Sequence, residues 1–387
     1  METKAFLQFL DELGASFFTG VPDSLLAQFT DELVERFGIG ERHVVAANEG
    51  AAVGLAAGHY LATGNPAVVY MQNSGIGNAM NPICSLLHEK VYAIPVIFVI
   101  GWRGEPGTKD EPQHVFQGEV TLKMLELAEI PYVIVEKGVD LRQESAGFMR
   151  HIEYGRSVAF VVKKDTLVKV SEKKHANKAL LSREDALKVI LKSAKPDDVF
   201  ICTTGKLSRE VYEIRKNTDV VHGRDFLTVG SMGHSLMIAL GIAMAKTDRL
   251  VFCLDGDGSM LMHMGSVAVA GAHAPKNLVH IVINNGAHET VGGLPAVSGK
   301  LELFRIAKAC GYVNCLRVYS EISLAAALNA LNESNMPHQG DGMTCTASLS
   351  GGPIFVEVIC NLHSRKDLGR PETTSFENKK MFMERLM

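Results

Sequence analysis

The sequence lacks the features that mark membrane, nucleic-acid-binding and repeat proteins. Its longest apolar stretch, from Val91 to Trp102, contains Pro95 and is too short to span a bilayer. Lysine and arginine number 39 against 43 aspartates and glutamates, a net charge of −4, so the chain has no basic footprint for nucleic acid. No internal repeat or low-complexity tract is present, which argues against a scaffold protein. We therefore expect neither a membrane nor a nucleic-acid partner.

Paired cysteines and a secretion signal are also missing. The seven cysteines form no C-x-x-C pair, and the nearest two are Cys310 and Cys315. This spacing predicts reduced, mostly buried thiols. The N-terminal segment METKAFLQFLDELG carries acidic residues within its apolar run and no small-residue cleavage site, unlike a signal peptide. These features predict a cytoplasmic protein.

What the sequence does contain is an ordinary globular composition with extra glycine. Hydrophobic residues make up 47% of the chain and charged residues 21%, which is typical of a folded protein. The length of 387 residues predicts two domains, at about 100–200 residues per domain. The 36 glycines indicate tight turns or close approaches of the backbone to a ligand.

Two segments, residues 1–165 and 184–387, repeat one pattern: an apolar run, a glycine-rich turn and a helix rich in small residues. Continuous apolar strands that alternate with helices predict a parallel sheet covered on both faces. The expected fold class is therefore α/β, with two doubly wound parallel-sheet domains. A polar, Lys-rich stretch at 166–183 is predicted to be an exposed linker between them. The predicted strands are 15–19, 43–46, 67–71, 94–100, 132–135 and 157–162, then 199–203, 225–228, 250–254, 278–283, 314–317 and 353–358.

Helices and irregular segments are predicted from periodicity and composition. Helical patterns cover 24–37, 50–62 and 234–245. The polar, glycine-rich stretch 332–352 is predicted to be a loop. The basic and polar tail at 364–380 is interpreted as either disordered or folded over the body of the protein.

Acidic and amide side chains follow two successive strands of the second segment. Asp257 comes after the strand at 250–254, and Asn285 ends the next strand. Right-handed crossover places such strand ends side by side, in the crevice where open α/β sheets bind ligands. Carboxylate, amide and carbonyl oxygens suit Mg²⁺, while Gly256 and Gly258 let backbone N–H groups approach an anion. The pattern predicts Mg²⁺ bridging a diphosphate.

Other phosphate and metal motifs fit this stretch poorly. A calcium loop requires a glutamate at its twelfth position, where this chain has Ser266. A P-loop requires Ser or Thr after Gly-Lys, where this chain has Leu301. The last glycine of a dinucleotide-binding motif is replaced by Met80 in one candidate and Leu261 in the other. A turn followed by a buried asparagine pair remains the purely structural alternative.

The stretch Gly256-Asp257-Gly258, followed later by Asn284-Asn285, resembles the thiamine-diphosphate motif of the 2-oxo acid decarboxylases. The resemblance implies thiamine diphosphate and Mg²⁺ as cofactors, with Asp257, Asn285 and the backbone carbonyl of Ala287 as metal ligands. It also implies that 1–165 is a pyrimidine-binding domain and 184–387 a diphosphate-binding domain, without the central third domain of larger relatives. The residues implied to contact the cofactor are Gly205, Gly230, Met232, Gly256, Gly258, Ser259 and Asn285.

Glu49 follows a strand and begins a helix rich in small residues. This position resembles that of the glutamate that exchanges a proton with the pyrimidine ring in the same family. The structural alternative is an exposed glutamate that stabilises the helix N-terminus. Because the glutamate domain of one family member faces the diphosphate domain of another copy, the resemblance also implies at least a homodimer with its site at the subunit interface.

The resemblance extends over the whole chain, and it implies a substrate. The expected activity is non-oxidative decarboxylation of 3-phosphonopyruvate to phosphonoacetaldehyde and CO₂ in phosphonate biosynthesis, with sulfopyruvate or another anionic 2-oxo acid as the alternative. The stretches that carry this resemblance are 20–26, 48–50, 73–78, 107–114 and 365–371.

The loop at 102–114 offers cations for such an anionic substrate. Arg103 and Lys109 are candidate substrate-binding residues because a phosphonate carries up to two negative charges, although each is equally compatible with solvated surface charge. His114 and His288 are candidate proton relays, or structural histidines. The resemblance implies that Asp23 is a catalytic aspartate, and a helix cap is the structural alternative.

Overall fold

A computed structural model describes residues 1–168, 177–218, 223–289, 293–332, 352–365 and 367–387. These residues form two compact units, Met1–Lys174 and His175–Met387. The predicted loop at 332–352 lies outside the described residues apart from its two ends. None of the described helices has both the length and the apolar character that crossing a membrane requires.

The first unit alternates strands and helices. Its six strands are β1 (Phe17–Gly20), β2 (His43–Val45), β3 (Ala67–Gln72), β4 (Val96–Gly101), β5 (Tyr132–Val135) and β6 (Val158–Val162). Its helices are α1 (Thr3–Glu12), α2 (Ala27–Phe37), α3 (Glu49–Thr63), α4 (Ile76–Pro82), α5 (Pro112–Leu127), α6 (Leu141–Glu144) and α7 (Phe148–Glu153), with shorter helical turns at Asn73–Gly75 and Ile83–Leu87.

These strands form one parallel sheet in the order β2-β1-β3-β4-β6-β5. β4 and β6 are buried along their full length because they are unbroken apolar runs with helices on both faces. The carboxyl ends of β1, β3 and β4 lie side by side, which gathers the residues that follow them at one edge of the sheet.

The second unit repeats this architecture. Its sheet contains β7 (Val199–Cys202), β8 (Asp225–Leu227), β9 (Val251–Gly256), β10 (Leu278–Asn284), β13 (Asn314–Val318) and β14 (Ile354–Ile359), and β11 (Ala287–His288) pairs with β12 (Leu294–Pro295) in a small hairpin. Its helices are α8 (Arg183–Ser193), α9 (Lys206–Lys216), α10 (Ser235–Ala245), α11 (Asp257–Met262), α12 (Gly265–His273), α13 (Leu303–Ala309), α14 (Glu321–Asn332) and α15 (Ser375–Leu386), with a helical turn at Val297–Lys300.

The strand order of the second sheet is β13-β14-β10-β9-β7-β8, with every described pairing parallel. β9 and β10 are neighbours in register, so the residues that follow them meet at one edge. The expected α/β class with two parallel-sheet domains is confirmed.

The structure changes or decides three sequence-based expectations. α2 begins at Ala27 rather than at 24. Of the two alternatives for the tail, the folded one is observed: α15 begins within it, and Asn378 bonds to the backbone of β8. The stretch expected as an exposed linker is mixed at its described ends: residues 168, 177, 178 and 180 are exposed, while Leu167, Leu181 and Arg183 are buried. Apolar side chains and an ion pair hold these ends against the two units.

Candidate active site

Glu49 is placed by the first turn of α3. The side chain of Asn48 caps this helix by accepting the N–H groups of Gly50 and Ala51, which sets where the helix begins. The Glu49 side chain is only 5% exposed, and its Oε2 accepts a hydrogen bond of 2.8 Å from Asn78 Nδ2. Glu49 is therefore buried, and the alternative of an exposed helix-terminal glutamate is wrong.

Close packing against a glycine confines Glu49 further. A Cβ on Gly75 would lie 2.6 Å from both Glu49 Cγ and Glu49 Oε1. Real Cβ atoms do not come that close to another atom, so only glycine leaves space for the carboxylate here. The Asn73–Gly75 turn and α4 therefore act together to hold Glu49.

Asp23 lies at the carboxyl ends of three strands. Its Oδ1 accepts from Gln72 Nε2 at 2.7 Å and its Oδ2 accepts from Leu25 N at 3.1 Å. A Cβ on Gly101 would approach Asp23 Oδ2 to 2.4 Å. Burial raises the pKa of Asp23 above its usual value. The helix-cap alternative is wrong, because α2 starts after Leu26 without a side-chain cap.

The loop after β4 holds Arg103 in an ion pair. Its guanidinium donates Nε to Asp110 Oδ2 at 2.8 Å and Nη2 to Asp110 Oδ1, while Nη1 reaches Ser24 Oγ at 2.9 Å. Burial alone would raise the pKa of Asp110, but Arg103 and two backbone N–H groups hold it well below its usual range. Lys109 in the same loop is exposed. The structure therefore fixes Arg103 and leaves Lys109 extended into solvent.

His114 lies in the first turn of α5 and is 8% exposed. Burial lowers the pKa of its imidazole, and its Nδ1 has no hydrogen-bond partner among the described residues. A buried nitrogen without a partner is costly unless something else binds it. It is therefore available to a ligand.

In the second unit, Asp257 is the first residue of α11, where β9 ends. The carboxylate is 5% exposed, and its Oδ2 accepts a short hydrogen bond from Ser298 Oγ. Burial raises the pKa of Asp257 to about 6. No cationic side chain in the described part of the chain forms an ion pair with it. A buried carboxylate without a counter-charge fits a cation, whose charge would oppose the effect of burial and favour the ionised carboxylate.

Asn285 follows β10, one strand away from Asp257. Its Nδ2 lies 3.4 Å from Glu289 Oε2, and its Oδ1 accepts from Ala287 N at 3.1 Å. Ala287 begins the hairpin strand β11, and β10 pairs with β9, the strand that leads into Asp257. Carboxylate, amide and carbonyl oxygens from 257, 285 and 287 thus belong to one edge of the sheet, which is the donor set Mg²⁺ prefers.

A small-residue cradle lies next to these oxygens. A Cβ on Gly258 would contact Met232 Cε at 3.5 Å and His288 Cε1 at 3.6 Å, so these two side chains converge on the start of α11. Burial lowers the pKa of His288 to about 4, which keeps its ring neutral at neutral pH.

The cradle is tied together by side-chain hydroxyls. Ser259 Oγ accepts from Gly233 N and bonds to Thr203 Oγ1, both at 3.0 Å, and Thr204 Oγ1 accepts from Gly230 N at 3.0 Å. Gly230 has a left-handed backbone (φ 72). These bonds join the loop before α10 to the ends of β7 and β9.

Gly205 and Gly256 each precede a helix. Gly205, with φ 96, is the N-terminal boundary of α9, and Gly256 has the same place before α11. Two helix N-termini therefore follow β7 and β9, which are neighbours, and unpaired N–H groups at such ends favour a negatively charged group. The residues present fit thiamine diphosphate with Mg²⁺.

A second group of possible metal ligands lies on β9 and β10. One ligand atom from each of Cys253, Asp255 and His280 falls within 4.8 Å of the others. All three are fully buried, and Cys253 packs in a hydrophobic cluster of the second unit. This group is therefore part of the core.

Sequence reasoning missed several residues of the site. Gln72 ends β3 as a polar residue at a strand terminus, the same signal that identified Asp257. Asn78 lies within a stretch already quoted for its resemblance. The sequence pattern did not identify Ser298 or Glu289 as site residues. Their contacts with Asp257 and Asn285 form only once the hairpin β11–β12 has folded.

The chain matches two family models. One describes the N-terminal TPP binding domain of thiamine pyrophosphate enzymes and matches residues 3–125. The other describes the C-terminal TPP binding domain of these enzymes and matches residues 203–338. The first match includes Glu49, and the second includes Asp257 and Asn285.

Curated relatives span nearly the full chain. A phosphonopyruvate decarboxylase of Streptomyces viridochromogenes is 32% identical over 391 residues, covering 96% of this chain and 92% of the relative. One from Streptomyces hygroscopicus is 32% identical over 393 residues, covering 97% and 91%. The beta subunit of a sulfopyruvate decarboxylase from Methanococcus maripaludis is 32% identical over 155 residues, covering 40% of this chain and 80% of the relative.

Proposed function

The chain belongs to the thiamine pyrophosphate enzymes, and we propose that it is a carboxy-lyase that converts 3-phosphonopyruvate to phosphonoacetaldehyde and CO₂ in phosphonate biosynthesis. The observation that carries this proposal is the 32% identity to phosphonopyruvate decarboxylases across both units. Each unit also contains a buried acidic residue at the start of a helix, Glu49 in one and Asp257 in the other.

The cofactors of this family are thiamine diphosphate and Mg²⁺. When bound, thiamine diphosphate supplies the electron sink that accepts the electron pair left as CO₂ departs. We propose that Asp257, Asn285 and the Ala287 carbonyl hold Mg²⁺, and that residues 184–387 bind the diphosphate while 1–165 bind the pyrimidine ring, with 166–183 as the linker. The proposed cofactor contacts are Gly205, Gly230, Met232, Gly256, Gly258, Ser259 and Asn285.

Glu49 is proposed to hold the proton that is exchanged with the pyrimidine ring nitrogen. Its Oε2 is occupied by Asn78 Nδ2 at 2.8 Å, which leaves Oε1 for the exchange. Burial of the carboxyl group excludes water, so a proton placed there moves to the ring rather than to solvent.

Asp23 and two histidines are proposed to serve the later proton transfers. The raised pKa of Asp23 favours a protonated carboxyl group, which can donate. His114 and His288 both have lowered pKa values caused by burial, so each acts as a neutral imidazole. The Nδ1 atom of His114, which has no hydrogen-bond partner among the described residues, can accept a proton or a hydrogen bond from a bound substrate.

Arg103 and Lys109 are proposed to bind the anionic end of the substrate. Asp110 neutralises part of the Arg103 charge, but the pair also holds the guanidinium in one orientation. Lys109 is exposed and supplies a mobile charge. A dianionic phosphonate gains more from this second cation than a monoanionic sulfonate.

Sulfopyruvate is the second candidate substrate, favoured by the similarity to a sulfopyruvate decarboxylase subunit. The deciding experiment measures CO₂ release from each acid with thiamine diphosphate and Mg²⁺ present. We expect kcat/KM to be at least about 10-fold higher for 3-phosphonopyruvate, a difference of about 1.4 kcal/mol in the transition state. A preference for sulfopyruvate would overturn the proposal.

The enzyme is also proposed to work as at least a homodimer with its active site at the subunit interface. α3, which starts at Glu49, exposes Leu55 and Leu61. Gly54 and Gly58 lie on the same helix with nothing within 4 Å of an added Cβ. Glycine inside a helix is destabilising, and no contact among the described residues requires it here, which supports close packing of another helix.

A cytoplasmic location is proposed from the cysteines. The described residues include six unpaired thiols, of which Cys202, Cys253 and Cys360 are buried. Reduced thiols are typical of the cytosol. Fractionation of cells with detection of the protein in each fraction tests this location.

A further inference from the structure

A cluster of four charged residues, two of them buried and two partly exposed, contacts Asn285 through Glu289. The ion cluster consists of Arg183, Lys206, Glu210 and Glu289. Arg183 donates Nε and Nη2 to the two carboxylate oxygens of Glu210, both at 2.7 Å. Its Nη1 bonds to Glu289 Oε2, and Lys206 Nζ bonds to Glu289 Oε1 at 2.9 Å. Two positive and two negative charges balance.

The cluster gathers elements that are far apart in sequence. Arg183 begins α8, Lys206 and Glu210 lie on α9, and Glu289 follows β11. Lys206 Nζ also bonds to Ser364 Oγ at 2.7 Å. Burying such ions is rarely favourable by itself. A contribution to folding stability alone therefore does not explain the cluster.

Asn285 has an amide with one donating and one accepting end. Its Nδ2 faces Glu289 Oε2 at 3.4 Å. An ionised carboxylate only accepts hydrogen bonds, so the donating end of the amide must turn toward Glu289. The accepting oxygen is therefore directed away from it, to the side where Ala287 N bonds to Oδ1.

Two cations hold the Glu289 carboxylate in place. Arg183 and Lys206 bond to different oxygens of Glu289. Each cation is itself held by a second partner, Glu210 or Ser364. The carboxylate therefore has little freedom to turn away from Asn285.

We propose that Glu289 is a positioning residue that orients the Asn285 amide, so that its oxygen is presented for Mg²⁺ together with Asp257. This inference rests on the proposed metal ligands, and it assigns the ion cluster a role in metal affinity. Groups that orient metal ligands typically change metal affinity by about 10- to 100-fold when they are lost.

The test is a calorimetric titration of Mg²⁺ into metal-free protein saturated with thiamine diphosphate, with no substrate present. Glu289→Gln removes the charge and places an NH₂ group in the cluster. We expect its Kd for Mg²⁺ to rise by at least about 10-fold. Glu289→Asp keeps the charge balance but shortens the side chain, and we expect a smaller rise with a Tm near that of the wild type.

The matched control is Asp225→Asn. Asp225 forms a buried ion pair of 3.0 Å with Arg215 in the same unit but makes no described contact with Asn285. We expect this variant to lower Tm while its Kd for Mg²⁺ stays within about twofold of the wild type, since it changes no orienting group.

Two outcomes separate this inference from the proposed function. If Asp257→Ala binds Mg²⁺ as the wild type does, the ligand assignment itself is wrong. If Asp257→Ala loses Mg²⁺ but Glu289→Gln and Glu289→Asp bind it normally, the ligands stand and the positioning role is overturned. Should Glu289→Gln fail to fold, Glu289→Asp alone decides.

Discussion

At the scale of single residues, the Glu49 carboxylate depends on the missing side chain of Gly75. The space that Gly75 leaves is filled by Glu49, since an added Cβ would lie 2.6 Å from its Oε1. The backbone of this turn is ordinary, so alanine fits the chain there but displaces the carboxylate.

Gly75→Ala is therefore expected to lower kcat by about 10- to 100-fold, because a small displacement of a catalytic group is costly. Rates of CO₂ release and Tm measure this. Gly77→Ala is the control, because a Cβ on Gly77 meets nothing within 4 Å. Equal rates for the two variants would contradict the placement of Glu49.

Asp23 gives a pH dependence of stability. Burial raises its pKa in the folded state above the unfolded value of 3.8. The folded state then binds more protons than the unfolded state above that value, so this group makes the protein less stable as pH rises through the folded pKa.

Urea unfolding of cofactor-free wild type and Asp23→Asn from pH 4 to pH 8 isolates this contribution. Asparagine stays neutral at every pH. We expect the free energy of unfolding of Asp23→Asn to increase relative to that of the wild type as pH rises. Parallel curves would show that Asp23 ionises in the folded protein as it does in water.

At the scale of elements, the position of α5 depends on contact between two glycines. A Cβ on Gly118 would lie 1.7 Å from Gly104 O, and Trp102 Nε1 donates to Gly118 O at 3.0 Å. α5 thus lies directly on the loop that carries Arg103, and its first turn carries His114. The helix and the substrate loop therefore form one packed body.

Gly118→Ala should separate α5 from this loop. We expect a loss of about 2 kcal/mol, or about 4–8 °C in Tm, which is typical of overpacking. The single tryptophan, Trp102, should report the change as a red shift of its fluorescence, and KM should rise. Gly147→Ala is the control, with only a ring carbon of His151 at 4.0 Å from its Cβ. Unchanged Trp102 emission in Gly118→Ala would contradict this account.

At the scale of the whole molecule, each unit holds only part of the proposed site. Glu49 and Asp23 belong to the first unit, and Asp257 and Asn285 to the second. Repetition of one sheet architecture in both units follows from the same alternation of apolar strands and small-residue helices.

The proposed dimer predicts that Gly58→Leu yields monomers. The added side chain projects into space that is open in the single chain, so folding should be retained while a close helix contact is lost. Light scattering after size-exclusion chromatography measures the mass. Lys123→Leu, which adds the same side chain at an exposed position of α5, should leave the oligomer intact. Unchanged mass of Gly58→Leu would place the interface elsewhere.

The sequence by itself determined the two parallel sheets and the ends of β9 and β10. Apolar runs identify strands and helices locally. Asp257 and Asn285 directly follow two strands that were predicted from such apolar runs. Glycines near 256 and 205 likewise identify turns without any knowledge of the fold. These features depend on neighbours in sequence, so composition and spacing were sufficient to predict them.

Only the tertiary structure decided what surrounds these residues. Arg183 meets Glu289 across 106 residues, and Ser298 meets Asp257 across 41. Burial raises the pKa of Asp257 to about 6, and burial is a property of the packed chain rather than of the residue. Contacts between residues that are distant in sequence do not appear in the hydrophobic periodicity of the chain. The charges that surround a side chain are set only when the helices and strands have packed together.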